Sequence, residues 1–187
     1  MPYEEESKNA LRRAIRYLVY RDRSRNEIIC YLNGKKFSAN AVSETLKFLE
    51  NNDYINDKRF AVQFGKSRIE KKNIGKLRLE LELKNKGLEK KLIKEAINLL
   101  YEDYDENKIA MTCAKKKLAT YTSNNCEKDR RRIASFLDRK GFPSGIIDKV
   151  VTQLVPYVSN NDLSPLPSSP NKISEALGPY TTKIIQG

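Results

Sequence analysis

The sequence predicts an all-α chain of three tandem three-helix repeats, forming an elongated curved array with a disordered C-terminal tail. Three observations predict it. Apolar residues recur at three- and four-residue spacing through most of the first 155 positions, and no long stretch alternates with period two. Glycine and proline are rare there and fall between the periodic segments, at Gly34, Gly75, Gly87, Gly141 and Pro143. The chain also matches itself at offsets of 51 and 54 residues: Leu32-x-x-Lys35-Lys36-Phe37, Leu83-x-x-Lys86-Gly87-Leu88 and Leu137-x-x-Lys140-Gly141-Phe142.

The first repeat is placed at 7–57, with helices over 7–20, 25–34 and 39–52. Leu11, Ala14, Ile15, Leu18 and Val19 form one face of the first helix, and Val42, Leu46 and Leu49 one face of the third. Ser24 and Glu27 have the spacing of a capping box at the start of the second. The second repeat is placed at 58–104, with helices over 58–72, 76–86 and 89–103. Gly65 falls inside the first of these, where it costs up to about 1 kcal/mol relative to alanine unless a close helix approach needs it. Ile93, Ala96, Ile97 and Leu100 face inward. The third repeat is placed at 105–155, with helices over 106–120, 130–140 and 144–155. Asp129 starts its middle helix as Ser24 and Gly75 start theirs, and Ile147, Val150, Val151 and Leu154 form the last apolar face.

The recurring turn after each middle helix has a physical reason. Glycine takes the left-handed conformation that ends a helix, and the next apolar residue folds back onto the repeat. Lys36 stands at the glycine position of the first repeat, so that turn is expected to be strained or differently shaped. A three-helix unit of this size has a thin core, and stacking on neighbours extends it. Residues 156–187 hold Pro165, Pro167, Pro170 and Pro179 among serines, the composition of a segment that does not bury a core.

Composition narrows the function. The 187 residues carry 36 Lys plus Arg against 24 Asp plus Glu, a net charge of +12, and no histidine. The balance points to a polyanionic or acidic partner. Without histidine there is no Ser-His-Asp or Cys-His catalysis, and most zinc sites are excluded. Cys30, Cys113 and Cys126 are widely spaced and read as plain thiols in a reducing compartment. No apolar run approaches the roughly 18 residues of a membrane span, and the start of the chain has no apolar signal core, so a cytoplasmic protein is expected. Asn73-Ile74-Gly75-Lys76 is not a phosphate loop. Glu80 with Glu82, and Asp103 with Asp105, are spaced so as to diverge on a helix. We expect no enzyme activity, no metal and no cofactor.

The cations are clustered. Arg21, Arg23 and Arg25 precede the middle helix of the first repeat. Arg68, Lys71, Lys72, Lys76 and Arg78 surround the matching junction of the second, and Arg130, Arg131 and Arg132 open the middle helix of the third. Repeats stacked in register would bring these into one positive stripe facing an acidic protein groove or the DNA phosphate backbone, the latter weakly and without sequence preference. The ten tyrosines read as edges of amphipathic cores rather than as stacking platforms.

Tyr54-Ile55-Asn56-Asp57-Lys58-Arg59-Phe60-Ala61, followed by Gln63-Phe64 and Ser67-Arg68, resembles the signature of the RecX regulatory proteins. Glu82-Leu83-x-x-Lys86-Gly87-Leu88, Phe136-Leu137-x-x-Lys140-Gly141-Phe142 and Ser24-Arg25-x-Glu27 are similar to further hallmarks of that family, so the likeness spans about residues 8–155. In this block Asp57 is expected to cap a helix whose buried face is Phe60, Ala61 and Phe64. Asp53 departs from the family pattern, which has glycine before Tyr54, and so does Lys36. The resemblance implies three three-helix repeats and a function: binding to RecA recombinase and the RecA–DNA filament, with restraint of its ATPase, strand-exchange and co-protease activities in DNA repair and the SOS response. A monomer lying in the filament groove is expected. The alternative reading is a helical-repeat protein that binds DNA without RecA.

Overall fold

The computed structural model describes residues 2–121 and 125–155; the expectations for 156–187 lie outside the described residues. Within them the chain is helical throughout, in three groups of three. The first repeat holds α1 (Pro2–Leu18), α2 (Arg25–Gly34) and α3 (Ala39–Asn51). The second holds α4 (Asp57–Lys72), α5 (Lys76–Asn85) and α6 (Lys90–Asp103). The third holds α7 (Glu106–Leu118), α8 (Cys126–Arg139) and α9 (Ser144–Leu154). Each repeat closes its own apolar core. Ala14, Ile28, Leu32 and Leu49 are sealed in the first, Ala61, Leu79 and Leu83 in the second, and Ala114, Ile133, Leu137 and Phe142 in the third. Gly65 earns its place: a Cβ there would overlap Leu100 of α6 and press on Leu79 of α5.

Three local expectations are corrected. Helix α1 starts at Pro2 rather than at residue 7, because proline suits the first turn and Glu4 and Glu5 favour the positive helix end. Helix α8 starts at Cys126, capped by the Asn125 side chain on the Lys128 N–H, so Asp129 is in its first turn and Arg130–Arg132 follow it. Helix α4 is capped by Asn56, whose side chain accepts the Arg59 N–H at 3.0 Å.

Asp57 does something else. Its carboxylate accepts the N–H of Arg25, the first residue of α2, at 2.7 Å. Glu106 repeats the arrangement one repeat later, accepting the N–H of Lys76, the first residue of α5, at 2.8 Å. The opening acid of each following repeat thus serves the middle helix before it. Burial raises both carboxyls, against the lowering effect of these N–H donors.

The middle helices meet end to end. Ser24, the N-cap of α2, donates its hydroxyl to the Lys86 carbonyl at the end of α5, at 2.7 Å. Gly75, the N-cap of α5, donates its N–H to the Lys140 carbonyl at the end of α8, at 2.8 Å, and Leu77 N–H reaches the Gly141 carbonyl at 3.1 Å. Positive helix starts face negative helix ends at both seams.

These seams explain the glycines. Gly87 and Gly141 both have φ +78°, and a Cβ at either would overlap the preceding repeat: Asn26 against Gly87, the Arg78 backbone against Gly141. Lys36 takes the same left-handed conformation, φ +63°, and its turn bonds Lys36 N–H to Asn33 and Phe37 N–H to Leu32 as the glycine turns do. The turn is strained but not differently shaped, and the Lys36 side chain is exposed.

Candidate functional site

Most of the predicted cations are engaged at or near the seams. Arg21 forks onto Glu27, with Nη2 at 2.7 Å and Nη1 at 3.1 Å. Lys86 reaches the same carboxylate from the second repeat at 2.8 Å. Burial pushes the Glu27 carboxyl up, but Arg21, Lys86 and the Ser24 N–H outweigh it and hold the group at about 2. Arg25 pairs with Glu50 at 2.7 Å, and Arg68 and Arg78 share Glu82 at 2.8 and 3.2 Å. Lys76 lies 3.8 Å from Glu106 and over the Tyr101 ring. The Arg23 guanidinium lies 3.9 Å from the Tyr17 ring, which in turn stacks on Tyr31 at 4.1 Å.

In the third repeat Arg131 pairs with Glu127 at 2.9 Å and Arg132 lies 3.6 Å from Asp129. Arg130 turns inward: it is buried and donates to the Val155 carbonyl, tying α8 to the end of α9, so it is not available as a surface contact. Lys71 and Lys72, in the last turn of α4, are exposed, and no carboxylate pairs with either among the described residues. The predicted set is therefore mainly held by partners within its own repeat, Lys76 pairing across a seam, with Lys71, Lys72 and the exposed, weakly held pair Arg131–Glu127 as its open positions. Sequence reasoning missed Lys117, Arg139 and Lys140, which stand near Arg132 and two aromatic rings; the run Lys115-Lys116-Lys117 was the signal. The expected tyrosine edges are visible in Tyr17 and Tyr31, whereas Tyr20 is 85% exposed. No helix among the described residues is long and apolar enough to cross a membrane.

Repeats joined helix end to helix end, with cations on both sides of each seam, define a tandem helical-repeat protein. Three family models match in chain order: the RecX first three-helix domain over residues 10–49, the second over 56–97 and the third over 103–151. The chain belongs to the RecX family of regulatory proteins. It is 35% identical over 151 residues to "Regulatory protein RecX" of Chlorobium phaeobacteroides, covering 81% of this chain and 97% of that one. It is 30% identical over 153 residues to the protein of that name from Oceanobacillus iheyensis, covering 80% of this chain but only 56% of the relative. The chain thus spans nearly all of one such relative and about half the length of the other. The crystal structure of RecX from Lactobacillus salivarius superposes with a TM-score of 0.72 at 26% identity, covering 81% of this chain and 97% of that one. A second crystal structure, of a regulatory protein RecX, shares the fold at 21% identity and a TM-score of 0.71, covering 80% and 73%.

Proposed function

We propose that this chain is a non-enzymatic regulator that binds RecA recombinase and RecA–DNA filaments and restrains ATP hydrolysis, strand exchange and co-protease activity in recombination, DNA repair and the SOS response. The observation that carries the reading is the match of all three RecX domains, in order, over the whole helical array. In this reading the protein works as a monomer in the cytoplasm. Exposed Lys71 and Lys72 meet acidic protein surface. Solvent-exposed pairs such as Arg25–Glu50 exchange partners at little cost, because such pairs are worth about 1 kcal/mol or less. Contact with DNA phosphate is weak and indifferent to sequence. A body whose repeats are linked by backbone and buried side-chain bonds holds its cations at fixed spacing, which suits a partner that repeats.

The test is ATP hydrolysis by RecA on single-stranded DNA. Stoichiometric protein should lower the rate and co-sediment with the filament, and Lys71→Glu with Lys72→Glu should weaken both effects. Unchanged hydrolysis with no co-sedimentation overturns the reading.

A further inference from the structure

The two seams differ in the chain that links them. Residues 104 and 105 alone join α6 to α7, whereas residues 52–56 join α3 to α4. Asp53 in the longer link takes φ +53°, a left-handed conformation that a residue with a Cβ adopts at a cost.

The apolar cores follow the same division. Ile109 on α7 packs against the cores of both the second and the third repeat and makes them continuous. Among the described residues no side chain belongs to the cores of both the first and the second. Shared burial makes two units open together, whereas separate cores let each open alone.

The polar bonds agree. At the second seam the Gly75 and Leu77 amides fix backbone to backbone. At the first, among the described residues, the bonds all use a side chain: Ser24 on the Lys86 carbonyl, Asp57 on the Arg25 amide, and Lys86 on Glu27. No backbone-to-backbone bond crosses there among the described residues.

Two lysines sharpen the contrast. Lys86 and Lys140 hold the same place, each just before a left-handed glycine, and each reaches into the preceding repeat. Lys140 donates to the Lys72 carbonyl at 2.7 Å, beside backbone bonds that hold without it. Lys86 makes the one salt bridge that crosses the first seam among the described residues, to Glu27 at 2.8 Å. Its ammonium also lies 5.8 Å from the ring centre of Phe64, in its own repeat, and Glu27 keeps Arg21 in its own. Breaking this bridge therefore strands neither charge, which removes the main cost of parting a half-buried pair.

We infer that the first repeat is latched to the rest rather than fused with it. The second and third repeats move as one body, and the first swings on residues 52–56 when the Lys86–Glu27 latch lets go. Opening shifts Arg21, Arg23 and Arg25 relative to the cations of the other two repeats, whose mutual spacing stays fixed.

The experiment measures distances between nitroxide spin labels on the full chain, with RecA and DNA absent, so its failure leaves the regulatory reading standing. Native Cys30 on α2 and Cys126 on α8 are exposed, and labels there report the first repeat against the third. Cys30→Ser with Lys91→Cys moves the first label onto α6 and reports the second repeat against the third. Circular dichroism melting checks that each variant stays folded. Lys86→Met removes the latch charge and should enlarge a second, displaced population of the Cys30–Cys126 distance by about tenfold or more, the effect of one charge-assisted hydrogen bond. The Lys91→Cys–Cys126 distance should remain single and unmoved. Lys140→Met should leave both distances as they are in the wild type. An unchanged Cys30–Cys126 distance in Lys86→Met overturns the latch. Equal broadening of both distances, or broadening by Lys140→Met, overturns the division into a fixed pair and a swinging repeat.

Discussion

The seam between the first and second repeats and the seam between the second and third join the same parts with different atoms. In the first, side chains make the joint: the Ser24 hydroxyl on the Lys86 carbonyl, and Glu27 gripped by Arg21 and Lys86. In the second, backbone meets backbone: Gly75 N–H on the Lys140 carbonyl and Leu77 N–H on Gly141. A side-chain joint tolerates small shifts but depends on ionisation. A backbone-to-backbone bond is itself indifferent to pH but admits no Cβ at Gly75 or Gly141.

Substitution at the backbone joint should have the largest effect. Gly141→Ala places a Cβ into the Arg78 backbone at a residue with φ +78°, and should cost about 3 kcal/mol or more in urea unfolding of the full chain. A loss below about 1 kcal/mol would show slack in this seam and remove the contrast. At the side-chain joint, Glu27→Gln should cost about 2–3 kcal/mol at neutral pH. The carboxyl is held at about 2 in the folded chain, below its unfolded value near 4.3. Its contribution is therefore complete above that unfolded value and is lost as pH falls toward 2. The wild type should lose on the order of 3 kcal/mol more than Glu27→Gln between pH 5 and pH 2. Asp57 and Glu106, raised by burial, act in the opposite direction but are common to both proteins, so parallel stability curves would mean that Glu27 does not govern this seam. The smallest effect belongs to the turn of the first repeat, where the Lys36 side chain is exposed. Lys36→Gly relieves a left-handed lysine and should stabilise by about 0.5 kcal/mol in the same unfolding experiment, in contrast to Gly141→Ala.

Most of the fold was legible because periodicity and turn residues are local. Helix α2 and the ends of α4 and α7 follow Ser24, Asn73 and Asp105 closely. The start of α8 was misplaced for a specific reason. The 54-residue offset, correct at the Lys-Gly turn, was carried back to Asp129, yet α8 has 14 residues where α2 and α5 have 10. The extra turn lies within the helix. The site was less legible. That cations cluster is plain in the sequence; that Arg25 is taken by Glu50, Lys76 by Glu106 and Arg130 by the Val155 carbonyl depends on residues far away along the chain.

The opening amides of α5 have a consequence for biosynthesis. Helix α2 brings its own cap, Ser24, but α5 begins at a glycine with no side chain to offer. Its amides at Gly75, Lys76 and Leu77 are met by Lys140, Glu106 and Gly141. A nascent polypeptide emerging from the ribosome therefore carries the cap of its first middle helix with it, whereas in its second the Lys76 amide meets Glu106 30 residues later and the Gly75 amide meets Lys140 65 residues later. Maturation of the second repeat is thus coupled to the arrival of the third.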